Sequence, residues 1–419
     1  MCYTVHNIFS FNADFSYFFA AERGDYMPGT DEYLKQFGNV SFSERPFCDA
    51  DNIALCEVFY MHLENVVSES FDDEPMNFAD ACNRLFEFNG NKHKPVGLVI
   101  NRAVSVKLMN MAKYPRFAEM KICACRHVYS EHPAVQFDCA TFILPDGTNV
   151  VIFRGTDDTI AGWNEDLDIY TKKSIPSYKL SVDYLTELSE KRTGDIIICG
   201  HSKGGNVALY AGLNCSAEIA DRIKLLFNND GPGFHDLHPF ATPAYRELLP
   251  KYHHIIPQSS FVGMLLAHDD DYTVIKSNRL MGLLQHDLAT WQIKDGEIVT
   301  TKLTLLGKLN DRGLADLILR ISDEQSETAN AVAAALLGSS GSRDLTGLVK
   351  NGVASLRGIN AAWRSLDNDT KEKFFAIWRG SLALLWSAAH AINKETAERL
   401  INSVATKRNE SKQKSKQSV

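Results

Sequence analysis

The chain has 419 residues, 45% of them hydrophobic and 23% charged, with 44 Lys and Arg against 52 Asp and Glu for a net charge of −8. That balance belongs to a folded globular chain of two or three domains and excludes wholesale disorder and fibrous repeats. An acidic chain without a concentrated basic face also argues against nucleic acid as a partner.

Taken in order, the opening segment MCYTVHNIFSFNADFSYFF lacks a basic leader, and Asp14 interrupts its apolar run, so it does not read as a signal peptide. Residues 1–118 mix aromatic-rich segments with helices expected over 76–88 and 101–112, and read as a helical cap region. Residues 119–301 behave differently. β-rich runs recur at Lys121–Tyr129, Val135–Leu144, Asn149–Arg154, Asp195–Cys199, Ile223–Asn228, His253–Pro257 and Tyr272–Lys276. Helical stretches at Tyr178–Lys191 and Gly205–Cys215 separate some of them, and this alternation predicts an α/β fold with a mostly parallel sheet flanked by helices. Asp295-Gly296 in TWQIKDGEIVT signals a closing hairpin.

Beyond residue 302 there is no Pro or Cys, and Ala, Leu and charged residues dominate, so 302–406 is expected to be a helical C-terminal region. Its helices are expected near 312–321, 323–337, 345–364, 370–391 and 393–406. The basic remainder, 407–419, is expected to be a disordered tail. The apolar stretch from Phe374 to Ile392 carries Arg379, Gly380 and His390, and no clean apolar run of about 20 residues occurs. Its aromatic content suits an oligomer interface or burial against neighbouring helices, with peripheral membrane contact as the other reading. Nine cysteines without CxxC spacing read as free thiols, and a cytoplasmic protein is expected.

The segment DIIICGHSKGGNVALYAGL carries the chemistry. A β-branched strand runs into Gly200-His201-Ser202-Lys203-Gly204 and then a helix, which is GxSxG in the strand–turn–helix context it requires. Glycines two residues either side of Ser202 let strand and helix approach closely around a strained nucleophile. The Lys203 N–H then points towards a developing oxyanion. A second segment, NVVIFRGTDDTIAGWNEDL, ends a strand at Arg154-Gly155-Thr156, where Thr156 is suited to the second oxyanion donor. His235 and His238 around Asp236 read as solvated polar structure; neither a metal nor a cofactor is expected.

The set QFDCATFIL, FRGTDDTIAGWNED, GHSKGGNVA, NNDGPGF and LLQHDLATWQ resembles the Mbeg-like group of α/β-hydrolase proteins, distant relatives of the fungal-type class 3 lipases. The resemblance covers roughly half the chain and implies an α/β-hydrolase core. It implies Ser202 as nucleophile, Thr156 and Lys203 at the oxyanion hole, and His286 in LLQHD as base. His201, beside the nucleophile, is expected to point away and support the turn. The third member stays open. Class 3 lipases carry their acid where this chain reads IIPQSSFVGMLL, with Ser260 at about the expected place and no carboxylate. Asp230 in NNDGPGF ranks first, the run Asp269, Asp270 and Asp271 second, and a dyad without an acid remains. Lys203 replaces the apolar residue of true lipases, as a contact for an anionic substrate group or as one half of a surface pair. The expected function is hydrolysis of a small-molecule or lipid ester (lipase-, phospholipase- or thioesterase-like) through an acyl-enzyme. The competing reading is a binding or scaffold protein with weak or absent catalysis.

Overall fold

A computed structural model of the chain describes residues 29–93, 103–157, 159–269, 271–279, 282–308 and 352–373, with single positions between 310 and 339. Its centre is an eight-stranded sheet whose strands follow one another in chain order. They are β1 (Met76–Asn77), β2 (Lys121–Glu131), β3 (Ala134–Ile143), β4 (Asn149–Phe153), β5 (Ile196–His201), β6 (Ile223–Asn229), β7 (Tyr252–Pro257) and β8 (Thr273–Ile275). β1 to β4 pair antiparallel, and β4 to β8 pair parallel. This is the expected α/β fold. The hairpin at Asp295-Gly296 joins β9 (Ile293–Lys294) to β10 (Glu297–Ile298), with φ of 53° and 82° at the two turn residues.

Sequential strand order has a geometric consequence. Each parallel crossover is right-handed, so crossovers that all advance in one direction put their helices on the same face. That face is covered by α6 (Pro176–Lys191) and α7 (Lys203–Asn214), which bury Tyr184, Leu185 and Leu188, and Val207, Ala208 and Ala211. The strands serve two cores by period-two alternation: Val151, Phe153, Ile196 and Ile198 pack under α6 and α7, while Val150, Ile152, Ile197 and Cys199 face the other way.

The opposite face would be bare without the N-terminal residues. There α1 (Thr30–Phe37), α2 (Asp49–Val58), α3 (Phe78–Phe88) and α4 (Ala103–Met111) share one core with Phe142, Val150, Ile152, Ile197 and Phe227. The sequence pattern missed α1 and α2. In α2, DADNIALCEV, nine of ten residues are buried, so no polar stripe betrays a helix. Its buried polar groups are matched instead. Arg116 donates to both Asp51 oxygens at 2.7 and 2.6 Å, and Tyr33 adds a third bond at 2.7 Å. Asn52 exchanges two amide bonds of 2.9 Å with Asn229 on β6. The helix expected over 76–88 begins at Phe78, because Met76 and Asn77 pair with β2 and the Asn77 side chain accepts the Ala79 N–H.

Helix α8 (Gly352–Ser365) overlaps the expected 345–364 and ends one residue beyond it. The other C-terminal expectations, including the aromatic stretch from Phe374 and the tail, lie wholly or largely outside the described residues. The eight described cysteines are free thiols, six of them buried. No helix among the described residues is long and apolar enough to cross a membrane.

Candidate active site

β4, β5 and β6 end together, and their C-terminal edge gathers the singled-out residues. Between β5 and α7 the chain turns at Ser202, which holds φ 58° and ψ −133°. A non-glycine residue adopts this left-handed, extended geometry only when its surroundings over-determine it. They do. The Ser202 N–H donates to Asn229 O at 3.0 Å, and its carbonyl accepts from Gly205 N at 2.9 Å. A Cβ on Gly200 would come 2.0 Å from Gly204 O, and one on Gly204 would come 2.1 Å from Phe153 O. Both glycines of the motif are therefore required by backbone packed on backbone.

The loop after β4 lies directly against the Ser202 turn: a Cβ on Gly155 would sit 3.0 Å from Ser202 Cβ. Thr156 follows. Its hydroxyl donates to Asp166 Oδ1 at 2.7 Å, on α5 (Ile160–Thr171). Burial pushes the Asp166 carboxyl up to about 6, against the opposing pull of Lys203. The N–H groups of Thr156 and Lys203 take part in no hydrogen bond found among the described residues.

His286 ends a 3-10 turn, Gly282–His286. Its Nδ1 lies 2.7 Å from Asp230 Oδ2, and the Asp230 side chain is fully buried. Asp230 follows β6 with φ 50°, held by its N–H to Ile255 O at 2.8 Å. Its other oxygen, Oδ1, accepts the Ser260 hydroxyl at 2.5 Å and the Gly263 N–H at 3.1 Å. Ser260 thus stands beside the carboxylate that faces the histidine, supporting it from the loop after β7. Of the alternative acids, Asp269 and Asp271 make no hydrogen bond to His286, and Asp270 lies outside the described residues. The structure does not join Ser202 Oγ to His286 Nε2 by a hydrogen bond.

His201 does point away from Ser202. Its Nε2–H donates to the His286 carbonyl at 2.8 Å, so its Nδ1 accepts from Tyr60 OH, also at 2.8 Å. The two imidazoles lie with centroids 4.5 Å apart and their planes tilted by 32°. Burial and the neighbouring His286 hold His201 well below the usual histidine range, which keeps it neutral.

Neither expectation for the Lys203 side chain holds. It is 2% exposed and ion-paired with Glu165 at 2.8 Å, away from any surface. Sequence reasoning also left Glu165, Asp166 and Tyr60 unassigned. The first two stand in the quoted WNEDL, where two adjacent acids after a tryptophan were the available signal; Tyr60 had none.

Among the described residues one cluster, Glu64, His127 and Asp138, has donor atoms close enough to share a metal ion. Arg154 fills it, with guanidinium nitrogens 3.4 Å from Glu64 and 2.6 Å from Asp138, and a cation already in place opposes a second. His235 and His238 belong to no such cluster.

Among curated proteins no match to the chain is found. A family model described as Mbeg1-like matches residues 111–333, more than half of the chain, a span that holds Ser202, Asp230, His286, Thr156, Lys203, Glu165 and Asp166, and the chain belongs to the Mbeg1-like family.

Proposed function

We propose that this protein is a serine hydrolase acting on carboxylic esters, with a small-molecule or lipid ester as substrate and an acyl-enzyme on Ser202. One observation carries the reading: a serine forced into φ 58° at a strand-to-helix turn, with a buried Asp230 2.7 Å from His286 on the adjoining loops.

In this reading Ser202 Oγ attacks the carbonyl carbon while His286 Nε2 takes its proton. Asp230 fixes the Nδ1–H tautomer and stabilises the imidazolium. Negative charge gathers on the carbonyl oxygen between the N–H groups of Thr156 and Lys203. Collapse expels the alcohol or thiol, which takes the proton from His286, and water then repeats the sequence to release the acid. The Ser202–His286 bond forms when substrate closes the site, as catalytic hydrogen bonds often tighten only in the complex.

The test is covalent labelling with a fluorophosphonate, alongside hydrolysis of p-nitrophenyl butyrate. Wild type labels and turns over; Ser202→Ala does neither. Equal labelling of the two proteins would remove the nucleophile, and a wild type inert in both assays would favour a binding or scaffold role.

A further inference from the structure

Lys203 is an improbable residue for its position. It opens α7, where the positive end of the helix dipole disfavours a cation, and its side chain is 2% exposed. The ammonium is nonetheless fully matched. Its three donors meet Gln136 O at 2.7 Å, Gln136 Oε1 at 3.0 Å and Glu165 Oε2 at 2.8 Å. Glu165, with no exposed surface, is equally saturated. It also accepts the Gln136 N–H at 3.0 Å, the Ser177 N–H at 3.2 Å and the Ser177 hydroxyl at 2.6 Å.

Stability alone does not account for this arrangement. A buried ion pair is often no better than two apolar side chains of similar volume, because desolvation offsets the attraction. Its location is informative. Glu165 and Asp166 are consecutive on α5, and each holds one of the two residues proposed as oxyanion donors. Glu165 grips the side chain of Lys203, and Asp166 accepts the hydroxyl of Thr156. Gln136 braces the junction: a Cβ on Gly162 would lie 3.0 Å from its Oε1 and 2.9 Å from Thr156 Cγ2. One helix turn therefore ties together the two residues whose N–H groups have no hydrogen-bond partner among the described residues.

We propose that the buried Lys203–Glu165 ion pair is a positioning device that holds the Lys203 N–H in register with that of Thr156, so that the two converge on the tetrahedral intermediate. The proposal rests on the serine hydrolase reading. Lys203 acts at two levels: its backbone is the donor, and its side chain is the tether. An apolar residue at this place would leave the first turn of α7 free to shift relative to α5. Displacing one donor by a fraction of an ångström weakens only the charged state, since the ground-state carbonyl needs it least.

The test uses the full chain, with active sites counted by fluorophosphonate titration before each kinetic run. The variants are Lys203→Met, Glu165→Gln and the two combined. In the single variants kcat per titrated site falls ~10- to 100-fold, while KM changes less than about three-fold. The inhibition constant of a phenylboronic acid, which forms a tetrahedral serine adduct, rises in parallel. Either single variant leaves a buried charge unpaired and can fail to fold. The double variant leaves none, so its melting temperature returns towards that of wild type. Its kcat per site nevertheless stays low. A double variant with wild-type kcat per site, or one that does not fold at all, would make the pair structural and overturn the proposal. A wild type that neither labels nor hydrolyses would sink the serine hydrolase reading itself, and this inference with it.

Discussion

Asp230→Asn is the substitution whose outcome the geometry constrains most tightly. The carboxylate divides its work: Oδ1 accepts from the Ser260 hydroxyl and the Gly263 N–H, while Oδ2 faces His286 Nδ1 at 2.7 Å. An asparagine here has no freedom to choose its orientation. Its carbonyl oxygen must take the Oδ1 place, because an NH₂ group there would confront the Gly263 N–H, a donor that cannot turn away. The NH₂ group is thereby aimed at His286 and donates to Nδ1. The imidazole proton moves to Nε2, the atom required to receive the serine proton. The wrong tautomer costs about 10,000-fold in kcat, or about 5 kcal/mol of transition-state stabilisation. Stability should change little, since every partner of the carboxylate keeps a complementary group. The assay is steady-state hydrolysis of p-nitrophenyl butyrate beside a thermal melt. A kcat within ten-fold of wild type, with an unchanged melt, would refute the role of Asp230 and return the choice to a dyad without an acid.

Thr156→Ala removes a hydroxyl but not the N–H, so kcat should fall by only part of the ~100- to 1000-fold range for a lost oxyanion donor; an unchanged kcat would limit the role to the backbone. Asp166 has its pKa raised to about 6 from 3.8, so the folded state holds the proton more tightly than the unfolded one. Its contribution is full below pH 3.8 and is lost as pH rises through 6. Asp166→Asn should therefore stabilise the protein at pH 8 by up to about 2–3 kcal/mol and hardly at all at pH 4, as read by urea melts at both values. His254 is buried with neither ring nitrogen hydrogen-bonded among the described residues, and burial lowers it to about 3. The unfolded state takes up its proton first, so stability is complete above pH 6.5 and drains away as pH falls towards 3. His254→Phe should flatten that acid limb, and an unaltered pH profile would exclude His254 as its source.

The parallel half of the fold was legible because its strands are short β-branched runs with turn residues between them. In β4 and β5 every residue is buried, so continuous apolar runs mark them without any need of alternation. Ser202 was legible for a local reason: the two glycines that the turn demands are two residues away in sequence. Asp230 and His286, 56 residues apart, carry no such mark, and the resemblance left the acid open among three choices. Helix α2 was illegible because its polar residues are paired inside the core with Arg116 and Asn229, partners that sequence spacing cannot name. Lys203 misled for the same reason. A lysine between glycines suggests a solvent-facing charge, and only the fold brings Glu165 from α5 to meet it.

The one-directional march of the eight strands also sets when the molecule can become watertight. Val150, Ile152, Ile197, Cys199 and Phe227 have no crossover helix to shelter them; their cover is α1 to α4, synthesised first. Those helices must wait on the ribosome, apolar side outward, until β4 to β6 emerge. The Asn52–Asn229 exchange, 177 residues apart in the chain, closes late. Folding is thus a non-local event, slow by its topology and exposed to aggregation while it waits. A chain begun at Pro115 would retain Ser202, His286 and Asp230, yet leave half the sheet facing water. Such a fragment should collect in inclusion bodies, because the residues that would do the chemistry are fewer than the residues that keep it dry.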